Sequence, residues 1–239
     1  MARVPCNVFT IDFETDNIDP KIAHPIEVAI FGKNVMIASY IALPEGFTVP
    51  PETSAIHHIV DDDLLNAPSW EYTKKFISDF RSDKVAIFVA HNASYEQDIL
   101  GKDFTPDLPW ICTYKCALRV WPDAPSHKNE VLRYWLGLPL LGRSFPQNAH
   151  NAGHDAEVTF QILEKLLDHA TLEQMIEWSK EPGLLPSMPM GKHFKQKWDM
   201  IPWPYMEWCI KQADMREDVV FCCKREMARR NAHATPRSS

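Results

Sequence analysis

The spacing of apolar and polar positions changes partway along the chain, from strand-like early to helix-like later. Residues 7–13 (NVFTIDF), 26–31 (IEVAIF) and 35–43 (VMIASYIAL) are rich in β-branched and aromatic side chains, which predicts three strands. Gly32-Lys33-Asn34 between the last two reads as a turn, so these two should pair as a hairpin. A helix is predicted over Trp70–Phe80, and VAIFV at 85–89 is short and wholly apolar, as a strand buried on both faces would be. Beyond it, residues 93–100, 112–120, 128–137 and 155–169 carry apolar side chains at helical spacing, most clearly Phe160, Leu163, Leu166 and Leu167. Pro182, Gly183, Pro186 and Pro189 then break the pattern before two further predicted helices, near 203–212 and 215–230. Strands first and helices afterwards, around a mixed sheet, predict an α/β or α+β architecture.

At 239 residues the chain has room for one full-size domain and a small appendage, since domains usually run about 100–150 residues. The predicted division is a domain at 1–180, a linker at 181–188, a small basic module at 189–232 and a disordered tail at 233–239. Charge changes along the same lines. From Met188 onward there are ten Lys and Arg against six acids, whereas the preceding residues carry fifteen against twenty-six. An acidic body suits carboxylates gathered for a metal, and a basic tail suits phosphate, although an ordinary solvated tail would show the same balance. The six cysteines form no CxxC pairs, which points to reduced, buried thiols rather than a zinc module. No run approaches the roughly 18 apolar residues of a membrane span and the first residues do not read as a signal peptide, so a soluble, cytoplasmic protein with no membrane partner is expected.

Three polar segments stand out from this frame. Asp12 and Glu14 occupy alternate positions of a predicted strand and so project from one face, where two buried acids call for a counter-charge such as a hard divalent cation. The segment VAHNASYEQDIL places His91–Glu96 where a buried strand ends and a helix begins, the edge at which open α/β sheets bind ligands. In HNAGHDAEVTF, Asp155 opens a helix and His150 lies in the preceding loop, with His154 as the competing histidine. A loop histidine beside a metal cluster can deprotonate water, because its ordinary pKa of about 6.5 lies near working pH.

Together these segments resemble the three sequence motifs of the DEDDh exonucleases, the DnaQ-like superfamily within the ribonuclease H-like fold. SAIHHI at 54–59, WICTYKCALRVWP at 110–122, HKNEVLRYWLGL at 127–138 and the tail MPMGKHFKQKWDMIPWPYMEWCIKQ are similar to segments of exodeoxyribonuclease X-like members. The resemblance implies a mixed five-stranded sheet flanked by helices, with a small C-terminal module. It implies metal ligation by Asp12, Glu14 and Asp155 and water activation by His150, whose H-x4-D spacing marks this branch and leaves His154 out of register. It also implies that Phe13, Thr15, His57, Asn92 and Ser94 line the pocket for a 3′-terminal nucleotide.

One position departs from the family, which usually has an aspartate after the aromatic of the second motif, where this chain has Tyr95 followed by Glu96. Asp98 lies about 200° around a helix from Glu96, so Glu96 is expected to be the fourth acid. Its longer side chain moves the carboxylate by about 1.5 Å. The expected cofactors are two Mg²⁺ or Mn²⁺ ions, and the expected partner is DNA with a free 3′ end, shortened to nucleoside 5′-monophosphates in repair or end processing. RNA remains an alternative substrate, as does a weakened nucleic-acid-binding role, and a homodimer or repair-complex partner stays open.

Overall fold

A computed structural model describes residues 4–79, 86–101, 104, 108–139 and 150–234. Phe80 and Val85, at the edges of two predicted elements, lie outside the described residues, as do residues 235–239 of the predicted tail. The elements run β1 (Val8–Thr15), β2 (Pro25–Gly32), β3 (Val35–Tyr40), α1 (Pro51–His57), α2 (Asp61–Leu64), α3 (Trp70–Asp79), β4 (Ile87–Ala90), α4 (Ser94–Leu100) and β5 (Trp110–Cys112). They continue with α5 (Thr113–Val120), α6 (Asn129–Leu136), α7 (Ala152–Leu166), α8 (Leu172–Lys180), α9 (Trp203–Lys211) and α10 (Glu217–Ala234), and two 3-10 turns, Gly191–His193 and Trp198–Met200, precede α9.

The strands form one mixed sheet in the order β3-β2-β1-β4-β5. The predicted hairpin is present as antiparallel β2 and β3, and β1 pairs antiparallel with β2 and parallel with β4. Side-chain alternation along β1 divides the core into two layers. Val8 packs into the cluster with α7, and the Thr10 hydroxyl donates to the Ala156 carbonyl at 2.8 Å, so this face of β1 carries α7. Phe9, Ile11 and Phe13 point the other way, into a second cluster with Ile77 of α3 and Ile99 and Leu100 of α4.

Four strands or α-helices lie outside the predicted ones, among them the single-turn α2. α1 follows Pro50, with Pro51 in its first turn, where a missing N–H costs nothing. β5 is only three residues long and shares only Cys112 with the segment read as helical, 112–120. α8 is announced by a capping box, Thr171 with Gln174, that the sequence shows but the apolar spacing does not emphasise. Trp110 and Trp121 are core residues, the first against Phe88 and the second edge-on to Trp135.

Leu185 and Met188, from the proline-rich segment at 181–188, are buried with Leu118 of α5 and with Met206, Cys209, Val219, Cys222 and Cys223 of the C-terminal helices. That segment therefore packs as part of a third apolar cluster. Arg230 of α10 locks the cluster's outer side by donating to the Trp198, Asp199 and Ile201 carbonyls at 2.9–3.0 Å. Among the described residues, no helix is long and apolar enough to cross a membrane.

Candidate active site

The carboxyl ends of β1 and β4 and the N-termini of α4 and α7 meet at one edge of the sheet. Asp12 and Glu14 stand on the α7 face of β1, and Glu27 of β2 sits directly across from Glu14 in the pairing register. Glu96 enters from the first turn of α4 and is buried, whereas Asp98 is exposed. Asp155 projects from the first turn of α7, and one of its carboxylate oxygens accepts the His150 backbone N–H at 2.9 Å. His150 adopts φ 64°, and ligand atoms of Glu14, His150 and Asp155 lie within 4.8 Å of one another.

His154 is placed differently. It is buried on the flank of α7 and bonds the Glu130 carboxylate of α6 at 2.5 Å, while Glu130 also pairs with Arg133 at 3.1 Å. His154, Glu130 and Asp155 form a second cluster behind the first, with Asn129 donating to the Asp155 carbonyl at 3.1 Å.

Electrostatics set this edge apart. Burial, and then the charges of Asp155, Glu14, Glu96 and Glu27, hold the Asp12 carboxyl well above the usual aspartate range. Burial first and the same neighbours second push Glu14 up to about 8, and burial pushes Glu96 to about 8 as well. Asp155 is also raised by burial, against the opposing pull of its bond from His150. Among the described residues no lysine or arginine is ion-paired with Asp12, Glu14 or Glu96. One oxygen of Glu96 is buried with no hydrogen-bond partner. An all-oxygen cluster of this kind, with an orphaned carboxylate oxygen and one histidine at its rim, fits a hard divalent cation.

The other residues singled out by the sequence lie around this cluster in different ways. The Thr15 hydroxyl meets the Tyr95 hydroxyl at 2.5 Å, tying β1 to α4. Phe13 is buried edge-on against Trp70, so only its backbone can meet a ligand. His57 is buried near the Thr15 backbone, and burial followed by the neighbouring His58 lowers its pKa. Asn92, at φ 73°, and Ser94 are exposed on the rim and line a cavity of about 550 Å³ shared with Tyr114, Lys115 and Arg216.

The sequence profile of the family described as Exonuclease matches residues 9–163, which takes in the whole of this edge. The chain belongs to that exonuclease family. Exodeoxyribonuclease 10 of Escherichia coli (strain K12) is 28% identical over 190 residues, covering 77% of this chain and 80% of its own length. DNA polymerase III subunit epsilon of Treponema pallidum (strain Nichols) is 28% identical over 174 residues, covering 66% of this chain and 75% of itself. A solved structure of exonuclease X in complex with 5′ overhanging duplex DNA aligns with TM-score 0.57 and 23% identity, over 72% of this chain and 99% of its own. The nuclease domain of 3′hExo, a DEDDh family member bound to rAMP, aligns with TM-score 0.55 and 14% identity, over 67% of this chain and 91% of its own. The exonuclease thus has the ribonuclease H-like fold of the DEDDh enzymes and acts on nucleic acid.

Sequence reasoning passed over one residue beside the candidate site, Glu27. Its signal was visible, a single acid inside the apolar strand PIEVAIF. Glu27 is buried, and its carboxylate accepts the Ala152 backbone N–H at 3.1 Å and the Asn151 side-chain amide at 3.2 Å. Asn151 is the N-cap of α7, so Glu27 holds the helix end that presents Asp155 and His150. Replacing Glu27 by alanine strands these buried donors, at a cost of about 1–3 kcal/mol. Loss of such a supporting group should also weaken metal affinity by roughly 10–100-fold. Thermal unfolding and a Mn²⁺ titration measure the two effects, and an unchanged Mn²⁺ affinity would reduce Glu27 to a purely structural role.

Proposed function

We propose that this exonuclease removes nucleotides from the 3′ end of DNA as nucleoside 5′-monophosphates, in repair or end processing. The observation that carries the reading is the meeting of Asp12, Glu14, Glu96 and Asp155 with His150 at the sheet's carboxyl edge. These four acids would hold two Mg²⁺ or Mn²⁺ ions, whose chemistry is to stabilise the attacking and leaving oxygens of an in-line displacement. His150 takes a proton from water at the rim of the cluster. The water oxygen then forms a bond to phosphorus while the bond to the departing 3′ oxygen breaks, and that oxygen takes up a proton to become the new 3′-OH end. Asn92, Ser94 and His57 would surround the terminal sugar and phosphate. The DNA preference is supported by the exodeoxyribonuclease among the relatives.

Incubation with 5′-labelled single-stranded DNA and Mg²⁺ is expected to give stepwise shortening and mononucleotide release, both abolished by EDTA. Matched RNA oligomers run alongside separate the exoribonuclease alternative, which keeps the same metal chemistry but requires acceptance of the 2′-OH. In the same assay Glu96→Ala should lower turnover by on the order of 10² or more, in keeping with lost electrostatic stabilisation of the transition state, while Asp98→Ala stays near wild type. The reverse pattern would place the fourth ligand at Asp98. Absence of any EDTA-sensitive release would leave only a nucleic-acid-binding role.

A further inference from the structure

We propose that the cleft between α5, the loop before α6 and the segment 185–195 is the binding site for the nucleic-acid strand on the 5′ side of the nucleotide being removed. The proposal rests on the exonuclease reading of the carboxylate cluster and assigns the C-terminal module a part in it. The cleft has a volume of about 510 Å³, and its walls include Tyr114, His127, Lys128, Phe194 and Lys195. It lies beside the candidate site, because His91, one of its lining residues, immediately precedes Asn92, and Lys128 is followed by Asn129, which bonds the Asp155 carbonyl.

Charge favours a polyanion there. Lys128 and Lys195 are exposed and no carboxylate stands among the described residues that line the cleft, in a protein whose formal net charge is −7. The neighbouring cavity on the other side of Tyr114 differs. Its Arg216 is ion-paired with Asp218 at 2.5 Å, its Lys115 donates to the Ser179 carbonyl at 2.8 Å, and Glu217 adds a further acid. Two cations face two acids in that cavity, whereas among the described residues lining the cleft that bears Lys195 the lysines stand without acids.

An aromatic face completes the chemistry. Phe194 is 57% exposed, and the Lys195 ammonium lies 5.3 Å from its ring centre. Stacking on such a ring accepts any base, as a non-specific strand path requires. The loop carrying these residues is held firmly. Lys195 adopts φ 63°, a conformation disfavoured for a residue with a Cβ, and is pinned by paired backbone bonds, Lys195 N–H to the Met188 carbonyl at 2.8 Å and Met188 N–H to the Gln196 carbonyl at 2.9 Å. Backbone strain retained in this way is characteristic of ligand clamps.

The test compares wild type with Phe194→Ala/Lys195→Ala, and separately with Lys128→Glu on the opposite wall, on two substrates. The p-nitrophenyl ester of thymidine 5′-monophosphate reads the carboxylate site alone, and an oligothymidylate long enough to reach the module reads both. Expected are unchanged ester hydrolysis and an oligomer KM raised on the order of 10-fold, the size of a lost base stack. The log-log salt slope of oligomer binding should fall by about 0.7 for each phosphate contact removed. Phe194→Trp should restore the KM. Unchanged oligomer KM and salt slope in both variants would overturn the proposal, as would a parallel loss on ester and oligomer. A wild-type protein that hydrolyses neither substrate would refute the exonuclease reading instead, and oligomer anisotropy with the same variants would then decide the cleft by itself.

Discussion

Replacing His150 by alanine is expected to lower kcat on a labelled oligonucleotide by roughly 10²–10⁴, the usual contribution of a general base, while oligonucleotide affinity in Mg²⁺ stays within a few-fold of wild type. The reason lies in how the two histidines of the motif are held. The His150 ring stands with Glu14 and Asp155 at the open rim, where water and phosphate can reach it. The His154 ring is buried and bonded to Glu130. His154→Ala should therefore act through stability and the setting of Asp155, with a smaller fall in kcat and a lower Tm. Single-turnover rates on both variants distinguish the cases, and a large loss confined to His154→Ala would transfer the base to that residue.

The second large effect concerns metal and pH. Glu14 and Glu96 sit at about 8 in the folded chain, and Asp12, Glu27 and Asp155 are also raised, burial being the leading cause throughout. The unfolded chain releases these protons near pH 4, so between there and pH 8 the folded state binds more protons than the unfolded one. Stability without metal is then fullest below about pH 4 as far as these groups are concerned, and declines as pH rises toward 8. Thermal unfolding in EDTA should accordingly give a lower Tm at pH 8 than at pH 5.5. Mg²⁺ at about a hundred times its Kd contributes about 2.7 kcal/mol, which at roughly 2–4 °C per kcal/mol for a chain of this size raises Tm by about 5–10 °C. The gain should be larger at pH 8, where the carboxylates are free to bind it. Asp12→Asn should raise the Tm in EDTA at pH 8 and remove both the Mg²⁺ response and activity. A wild-type Tm in EDTA that is flat or rising between pH 5.5 and 8 would contradict the clustering of these acids.

Much of this was legible along the chain because the responsible signals are local. The strands around Asp12 and Glu14, the hairpin at Gly32-Lys33-Asn34 and the helix carrying Phe160 and Leu163 follow from periods set by neighbouring residues. The choice of Glu96 over Asp98 joined the family resemblance, which sets the acid after Tyr95, to helix geometry, which turns Asp98 away, and the two side chains do point apart, one buried and one exposed. β5 was hidden because three residues are too few to show a period, and α1 because it starts at consecutive prolines. The prolines at 182, 186 and 189 suggested a linker, yet Leu185 and Met188 are buried against α5 and the C-terminal helices. Local composition cannot report what a neighbouring element will cover.

By itself, then, the sequence determined the longer elements, the two acids that share one face of β1 and the place of Asp155 at a helix start with His150 in the loop before it. It could do so because strand alternation and helical turn are short-range geometry. Only the tertiary structure decided that Glu27 reaches from β2 to hold the N-terminus of α7, 125 residues away. The fold also decided that His154 is withdrawn to Glu130 while His150 stays at the rim, and that Lys128 and Lys195 face one cleft. These are contacts between elements distant in the chain, and they exist only once packing of the apolar faces has brought their polar ends together.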